Sequence, residues 1–286
     1  MEWLSWLPTD IAASTWLLAL VGLCIGSFLN VVIYRLPLRL EREWKAESAE
    51  FLDVKVDLPE PVTLSRPRSR CPSCGHAIAW YENIPVVSYL VLRGRCSACK
   101  TRISPRYPLI ELATGALFAA VAWRFGEQPV AWVWCGFVAM LIAMAGIDWD
   151  TTLLPDNLTL PLLWAGLIAS TLGWTVPLPQ AIWGAVAGYL SLWVVANVHA
   201  RLRGEMGMGN GDFKLLAALG AWLGIKMLLP VVLGASLVGA VVGIVLKLTG
   251  GLREGKYVPF GPFLAGGGLV VMLAGPERVA GWLGWR

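Results

Sequence analysis

Apolar runs long enough to cross a bilayer recur along this chain, with one long interruption. The first covers residues 11–34; about 20 apolar residues suffice for a ~30 Å hydrocarbon core. Gly22, Gly26 and Ser27 within it suit close packing against another helix, and Pro37 just beyond it makes a natural stop. From residue 35 to residue 106 the pattern turns polar and basic. Apolar runs then resume at 108–123, 130–147, 157–174, 179–199, 212–229, 231–248 and 259–274. The pattern predicts an all-α polytopic membrane protein with about eight transmembrane helices and one water-facing segment between the first and second. Three parts follow from it: a first transmembrane helix (1–34), a polar module (35–106) and a multi-helix membrane domain (107–286).

Composition agrees. The chain has 286 residues, 57% of them hydrophobic, 15% charged and 16 of them Trp, with mean hydropathy +0.63; these values exclude an ordinary soluble domain. The net charge of +4 is modest and gives no reason to expect nucleic acid as a partner; the lipid bilayer is the partner the pattern demands. Charge distribution says more. With residues 35–106 in the cytosol, 19 of the 23 Lys and Arg fall on the cytosolic side, leaving only Arg124, Lys226, Arg278 and Arg286 outside. The positive-inside rule then sets the N-terminus outside. Met1-Glu2-Trp3 lacks a basic n-region, and no small-residue cleavage site follows the first apolar run, so no signal peptide is expected.

This topology places two acids together. The third apolar run ends in Ile147-Asp148-Trp149-Asp150, and the sixth begins at Gly207-Met208-Gly209-Asn210-Gly211-Asp212; both ends lie at the cytosolic face. Asp148 sits at a helix C-terminus, where the macrodipole disfavours an anion, so a structural excuse for it is weak. Asp212 has a structural alternative as the N-cap of its helix. Two carboxylates a few ångströms apart share a proton. One then takes a proton from attacking water while the other supports the developing oxyanion. Asp148 and Asp212 are the catalytic candidates, and Gly209 and Gly211 the residues that let a substrate strand approach. Asp150 is read as a solvated loop residue and Asp156 as the N-cap of the fourth run. Glu111, a turn into the second run, is a lone intramembrane acid, expected to touch substrate or cofactor, or else to pair with Arg102 or Arg106. Asn30 and Asn83 are minor hydrogen-bonding candidates, and His199 is read as interfacial.

Cys71-x-x-Cys74 and Cys96-x-x-Cys99 enclose 21 residues. Four thiolates at this spacing suit a closed tetrahedral structural zinc site, and a reducing cytosol argues against disulfides. Gly75 permits the tight turn after Cys74, whereas Lys100 follows Cys99. A redox pair is the rival reading, and His76 is surplus to four cysteines. Cys24 and Cys135 are read as small packing residues in the membrane runs.

Several stretches resemble the bacterial type IV prepilin leader peptidases, which are aspartyl membrane proteases with a Gly-x-Gly-Asp motif. They are Gly26 through Pro37, Cys71-Pro72-Ser73-Cys74-Gly75-His76, Trp80-Tyr81-Glu82-Asn83-Ile84-Pro85, Arg106-Tyr107-Pro108-Leu109-Ile110-Glu111-Leu112, Ile147 through Trp164, and Gly209-Asn210-Gly211-Asp212-Phe213-Lys214-Leu215. The match runs in order through nearly the whole chain and sets the two family aspartates on Asp148 and Asp212. It implies a bacterial inner-membrane enzyme that cleaves the short basic leader from type IV prepilins and type II secretion pseudopilins. It further implies N-methylation of the new N-terminus with S-adenosylmethionine. No residue here can be tied to the methyl donor: Gly207-x-Gly209-x-x-Asp212 is no dinucleotide fingerprint. Some members of the family lack the cysteines. A broader presenilin-type intramembrane protease would share Gly-x-Gly-Asp but not the cysteine module. A non-enzymatic transporter or assembly factor would spread its acids through the membrane depth. The sequence leaves the oligomeric state open.

Overall fold

The computed structural model describes residues 9–126, 128–204, 207–250 and 258–285, with side chains from residue 14 onward. Residues 1–8, which enter the signal-peptide argument, and Arg253, Lys256 and Arg286, which enter the charge argument, lie outside the described residues. Among those described, the elements are helices and turns, with two isolated β-bridges and no strand. The chain divides into two units, residues 1–143 and 144–286.

The first unit is built on α1 (Thr9–Phe51), a single helix of 43 residues, about 65 Å long at 1.5 Å per residue. It does not stop at Pro37 as expected: the proline lies inside it. Beyond Pro37 the helix is charged, and ion pairs four residues apart, Arg39–Glu43 at 2.6 Å and Lys45–Glu41 at 2.7 Å, support it on the solvent side. The boundary between the first two sequence-predicted parts therefore falls within one continuous helix. After the polar module, whose one short helix is α2 (Val87–Val91), α3 (Arg106–Phe125) packs along α1. The contact is close because the facing residues are small. A Cβ added to Gly22 would lie 2.8 Å from Gly115 Cα, and one added to Gly26 would lie 2.7 Å from Glu111 Cα. The Asn30 amide ties the pair further, donating to the carbonyls of Gly26 and Tyr107 at 3.2 Å each. α4 (Pro129–Thr151) begins in this unit and ends in the next.

The second unit is organised around α7 (Asn210–Leu223). Every residue from Asp212 to Leu223 except Lys214 is buried. Around it stand α5 (Asp156–Thr171), α6 (Leu178–Arg203) and α9 (Gly261–Ala274), with α8 (Leu228–Leu248) against α9 and a short α10 (Pro276–Trp282) last. Gly184 of α6 meets the carbonyl of Gly220 on α7, and Gly188 would place a Cβ 2.5 Å from the Leu216 carbonyl oxygen. Only glycine allows helices this near. Trp222 reaches from α7 to α5 and donates its indole N–H to the Leu162 carbonyl at 2.8 Å.

All eight expected segments are helical, but the span count differs. Five helices are long and apolar enough to cross a membrane, or six if α9 and α10, bent by 103°, form one broken span. α5 has 16 residues and α7 has 14, roughly 24 and 21 Å. The sixth apolar run breaks at Gly224, whose φ of +81° ends α7 before the chain turns into α8. A short helix at membrane depth is tolerated where protein surrounds it, as here. The helices fit a multi-pass membrane protein.

Candidate active site

Asp148 lies on the last turn of α4 and is only 5% exposed. Its Oδ2 accepts the backbone N–H of Gly261 at 3.0 Å. Gly261 opens α9, and the first N–H groups of a helix have no partner within it. The bond thus satisfies a helix end and a buried carboxylate together. The approach depends on glycine, since a Cβ there would sit 2.6 Å from Asp148 Oδ2. Gly261 was missed at the level of sequence. Pro262 beside it does signal a helix start, but no local pattern says which carboxylate that start will face.

Asp212 is the third residue of α7 and not its cap. The capping position belongs to Gly209, whose carbonyl accepts the Asp212 N–H at 3.2 Å. Asp212 is therefore not the N-cap residue itself, although the Gly209 backbone N–H reaches its carboxylate. Its side chain is buried, and Oδ1 has no hydrogen-bond partner among the described residues. Asp148 is near enough for its charge to act on Asp212.

Leu154, in the α4–α5 connection, explains how the two acids come together. A Cβ added to Gly211 would meet Leu154 Cβ at 2.6 Å, and one added to Gly261 would meet Leu154 Cδ1 at 3.1 Å. One buried leucine is thus wedged between the first turns of α7 and α9, six residues after Asp148. Gly211 is a packing glycine. Gly209 faces open space, with nothing within 4 Å of an added Cβ.

Asp156 also departs from expectation. Pro155 holds the cap position of α5, with no side-chain cap bond. Asp156 instead receives the Lys214 ammonium at 2.6 and 2.7 Å, joining the start of α5 to the second turn of α7. Asp150 and His199 are exposed; the His199 ring lies against Gly207, about 3.0 Å from where a Cβ would stand.

In the first unit, Glu111 is 8% exposed and its Oε2 accepts the Val86 N–H at 2.7 Å. This tether to the Val86 backbone is a partner that the sequence did not suggest. Val86 has φ +61°, a strained value for a β-branched residue that persists only where surrounding contacts hold it. Asn83 is exposed at the end of a 3₁₀ turn (Trp80–Asn83).

The four cysteines of the module do converge: the Sγ atoms of Cys71, Cys74, Cys96 and Cys99 all lie within 4.8 Å of one another. Each Cys-x-x-Cys is bracketed by the same bridge, Arg70 to Ala77 and Arg95 to Arg102. Each has the same turn bonds, Cys71 N–H to the His76 carbonyl and Cys96 N–H to the Thr101 carbonyl, both 2.9 Å. The two halves are one motif used twice. Gly75 supplies φ +73° in the first; Lys100 takes φ +62° in the second, its ammonium donating to the Ser97 carbonyl at 2.8 Å. The Thr101 hydroxyl and N–H hold the Cys99 thiol down at about 6. Cys74 has the His76 N–H to favour its thiolate, yet burial and the neighbouring Cys99, Cys71 and Cys96 push it up to about 11. Four thiolates so close need a cation, and a metal ion fits. His76 stands apart from the set, 3.2 Å from both Glu82 Oε2 and Ser97 Oγ. The Ser97 hydroxyl and the Ala79 N–H, with His76 beside them, bring the Glu82 carboxyl down to about 2. Cys135 is buried and Cys24 exposed.

Comparison with known proteins covers both units. Residues 20–125 match the family described as Bacterial Peptidase A24 N-terminal domain, and residues 135–244 match the Type IV leader peptidase family. The chain is 50% identical over 264 residues to a prepilin leader peptidase/N-methyltransferase of Pseudomonas putida, with 92% of each chain covered. Identity is 48% over 273 residues to the protein of that name from Neisseria gonorrhoeae, covering 93% of each. To that from Aeromonas hydrophila it is 50% over 274 residues, 93% of this chain and 92% of the relative. No solved structure matches the chain.

Proposed function

Because the chain belongs to the type IV leader peptidase family, we propose that it is a membrane aspartyl endopeptidase removing the short basic leader from type IV prepilins and type II secretion pseudopilins. The same enzyme then N-methylates the exposed N-terminus, with S-adenosylmethionine as the methyl-donating substrate. The observation that carries the reading is the buried pair Asp148 and Asp212, brought to one place from separate helices that carry no other buried acid among the described residues.

The geometry divides the roles. Asp148, already accepting a hydrogen bond from Gly261, suits the ionised partner, since an ionised carboxylate is an acceptor only. It takes the proton from the attacking water. Asp212, whose Oδ1 meets no donor among the described residues, is taken as the protonated partner, whose O–H supports the oxyanion as it forms on the scissile carbonyl. Gly209, with open space beside it, admits the substrate backbone, and Gly211 sets the start of α7 against Leu154. Glu111 holds the turn at Val86 and is also proposed to contact substrate.

The metal of the cysteine module is zinc, in a structural role. A tetrahedral site with Zn–S near 2.3 Å has sulfur–sulfur edges of about 3.8 Å, and Cys71 and Cys99 Sγ already stand 3.7 Å apart. The enzyme sits in the inner membrane with its N-terminus outside, and the module and aspartates face the cytosol, where 19 of the 23 basic residues fall. A leader in the cytosol and an apolar stem in the bilayer require a site at that surface.

The test is cleavage of a prepilin in membranes carrying Asp148→Asn or Asp212→Asn, with methylation of an already cleaved pilin scored separately. Each variant is expected to lose cleavage. Undiminished cleavage by either one defeats the assignment, and retained methylation in both would separate the two activities.

A further inference from the structure

The polar module presents a surface that neither peptide cleavage nor metal binding explains. α2 carries Val87, Leu90 and Val91 at i, i+3 and i+4, on one helix face, and they are 54%, 67% and 75% exposed. The 3₁₀ turn packed on α2 adds Trp80 and Tyr81, 77% and 60% exposed. With Ile84, six large apolar side chains within twelve residues face outward from a segment that otherwise reads as water-facing. Such a patch marks a contact.

Just after it in sequence, Arg93, Arg95 and Arg102 line a groove of about 570 Å³ that Tyr89 of α2 also borders. Arg95 and Arg102 face each other across a β-bridge, an arrangement that like charges disfavour. The Arg93-Gly94 turn brings the third into the same wall. It is held by positive φ at both residues and by the Gly94 N–H to the Tyr89 carbonyl at 2.8 Å. Among the described residues none of the three guanidinium groups is ion-paired. A counter-charge role toward the thiolates does not account for the groove, because none of the four cysteines lines it. Tyr89 on one side and Ser104 and Pro105 on the other complete the walls, and Arg106, the next residue, begins the membrane helix α3.

We infer that this face seats the module on the bilayer. Trp80, Tyr81 and the apolar face of α2 enter the interfacial region, and the three-arginine groove holds the phosphate of an anionic phospholipid at the membrane face where α3 enters. The occupant is a lipid for two reasons. The groove's wall is continuous with a transmembrane helix, and aromatic side chains next to arginines suit the headgroup layer. Arginine binds phosphate oxygens through paired N–H groups.

The test uses the full chain, purified in maltoside, with hydrogen–deuterium exchange followed across residues 84–105. Phosphatidylglycerol, phosphatidylcholine and inorganic phosphate are titrated in separate arms. Phosphatidylglycerol is expected to slow exchange in this stretch. Its midpoint should rise roughly fivefold for each arginine replaced in the series Arg93→Gln, Arg95→Gln and Arg102→Gln. Leu90→Ser with Val91→Ser should weaken protection with the groove intact. Metal content is measured on every variant to confirm that the module is folded. Asp148→Asn should keep the protection, so a failure of the peptidase reading is seen apart from a failure here. Equal protection by phosphatidylcholine, saturation by inorganic phosphate alone, or protection that comes only with added prepilin would each overturn the inference.

Discussion

Gly261→Ala is the sharpest perturbation available at the aspartate site. The added Cβ would lie 2.6 Å from Asp148 Oδ2, whereas ordinary contacts of this kind begin at 3.4 Å. Carboxylate and helix start must separate by about 0.8 Å. That carries the 3.0 Å bond from Gly261 N–H to Oδ2 beyond hydrogen-bonding range. A bond to a charged group is worth roughly 1.5–3 kcal/mol, and displacing a catalytic group by about 1 Å can cost on the order of a hundredfold in rate. The backbone raises no objection, because Gly261 is helical with no positive φ, and alanine is the better helix former by up to about 1 kcal/mol. The prediction is a ten- to hundredfold loss in the rate of prepilin cleavage with a loss of stability of only about 1–2 kcal/mol, the bond's worth less the helix gain. Gly266→Ala is the control: it lies in the same helix, with nothing within 4 Å of an added Cβ, and should cleave at the wild-type rate. Wild-type cleavage by Gly261→Ala, or an equal loss in Gly266→Ala, would refute the reasoning.

Three further outcomes can be checked. Gly209→Ala should lower cleavage by hindering the substrate strand while stability stays the same; Gly211→Ala should lower both, because its Cβ would run into Leu154 at 2.6 Å, and thermal melts beside cleavage rates separate the two. Serine at Cys71, Cys74, Cys96 and Cys99 together should abolish metal binding and open residues 71–102 to protease, with the Asp148–Asp212 chemistry still detectable; full stability without metal would exclude a structural metal. Gly184→Leu should prevent the second unit from folding, seen as loss of detergent-stable protein, because any Cβ at 184 would run into the Gly220 carbonyl.

What the sequence could and could not disclose follows from the range of each interaction. Long apolar runs are local, so every expected helix is found. Cys-x-x-Cys spacing is local too, and the four thiols converge. Asp148 and Asp212 were paired by membrane level alone, which needs only topology. All but one of the misses depend on contacts between distant residues. Pro37 fails to end α1 because the helix beyond it carries its own ion pairs. Asp156 answers to Lys214, 58 residues away, rather than to its own helix end. The Gly261 N–H finds Asp148 across 113 residues. The glycines of α6 and α7 look like ordinary membrane composition until the two backbones are seen to touch.

The paired cysteine turns have one more consequence, and it concerns chain freedom. Cys74 and Cys96 enclose 21 residues, and a metal holding all four thiolates closes that stretch into a ring. Cross-linking a loop of this size removes unfolded-state entropy worth on the order of 3 kcal/mol. Inside the ring lie Trp80, Val86 with its tether to Glu111, Leu90 and Arg93. Metal supply to the cell would then govern whether this short length of chain holds one shape.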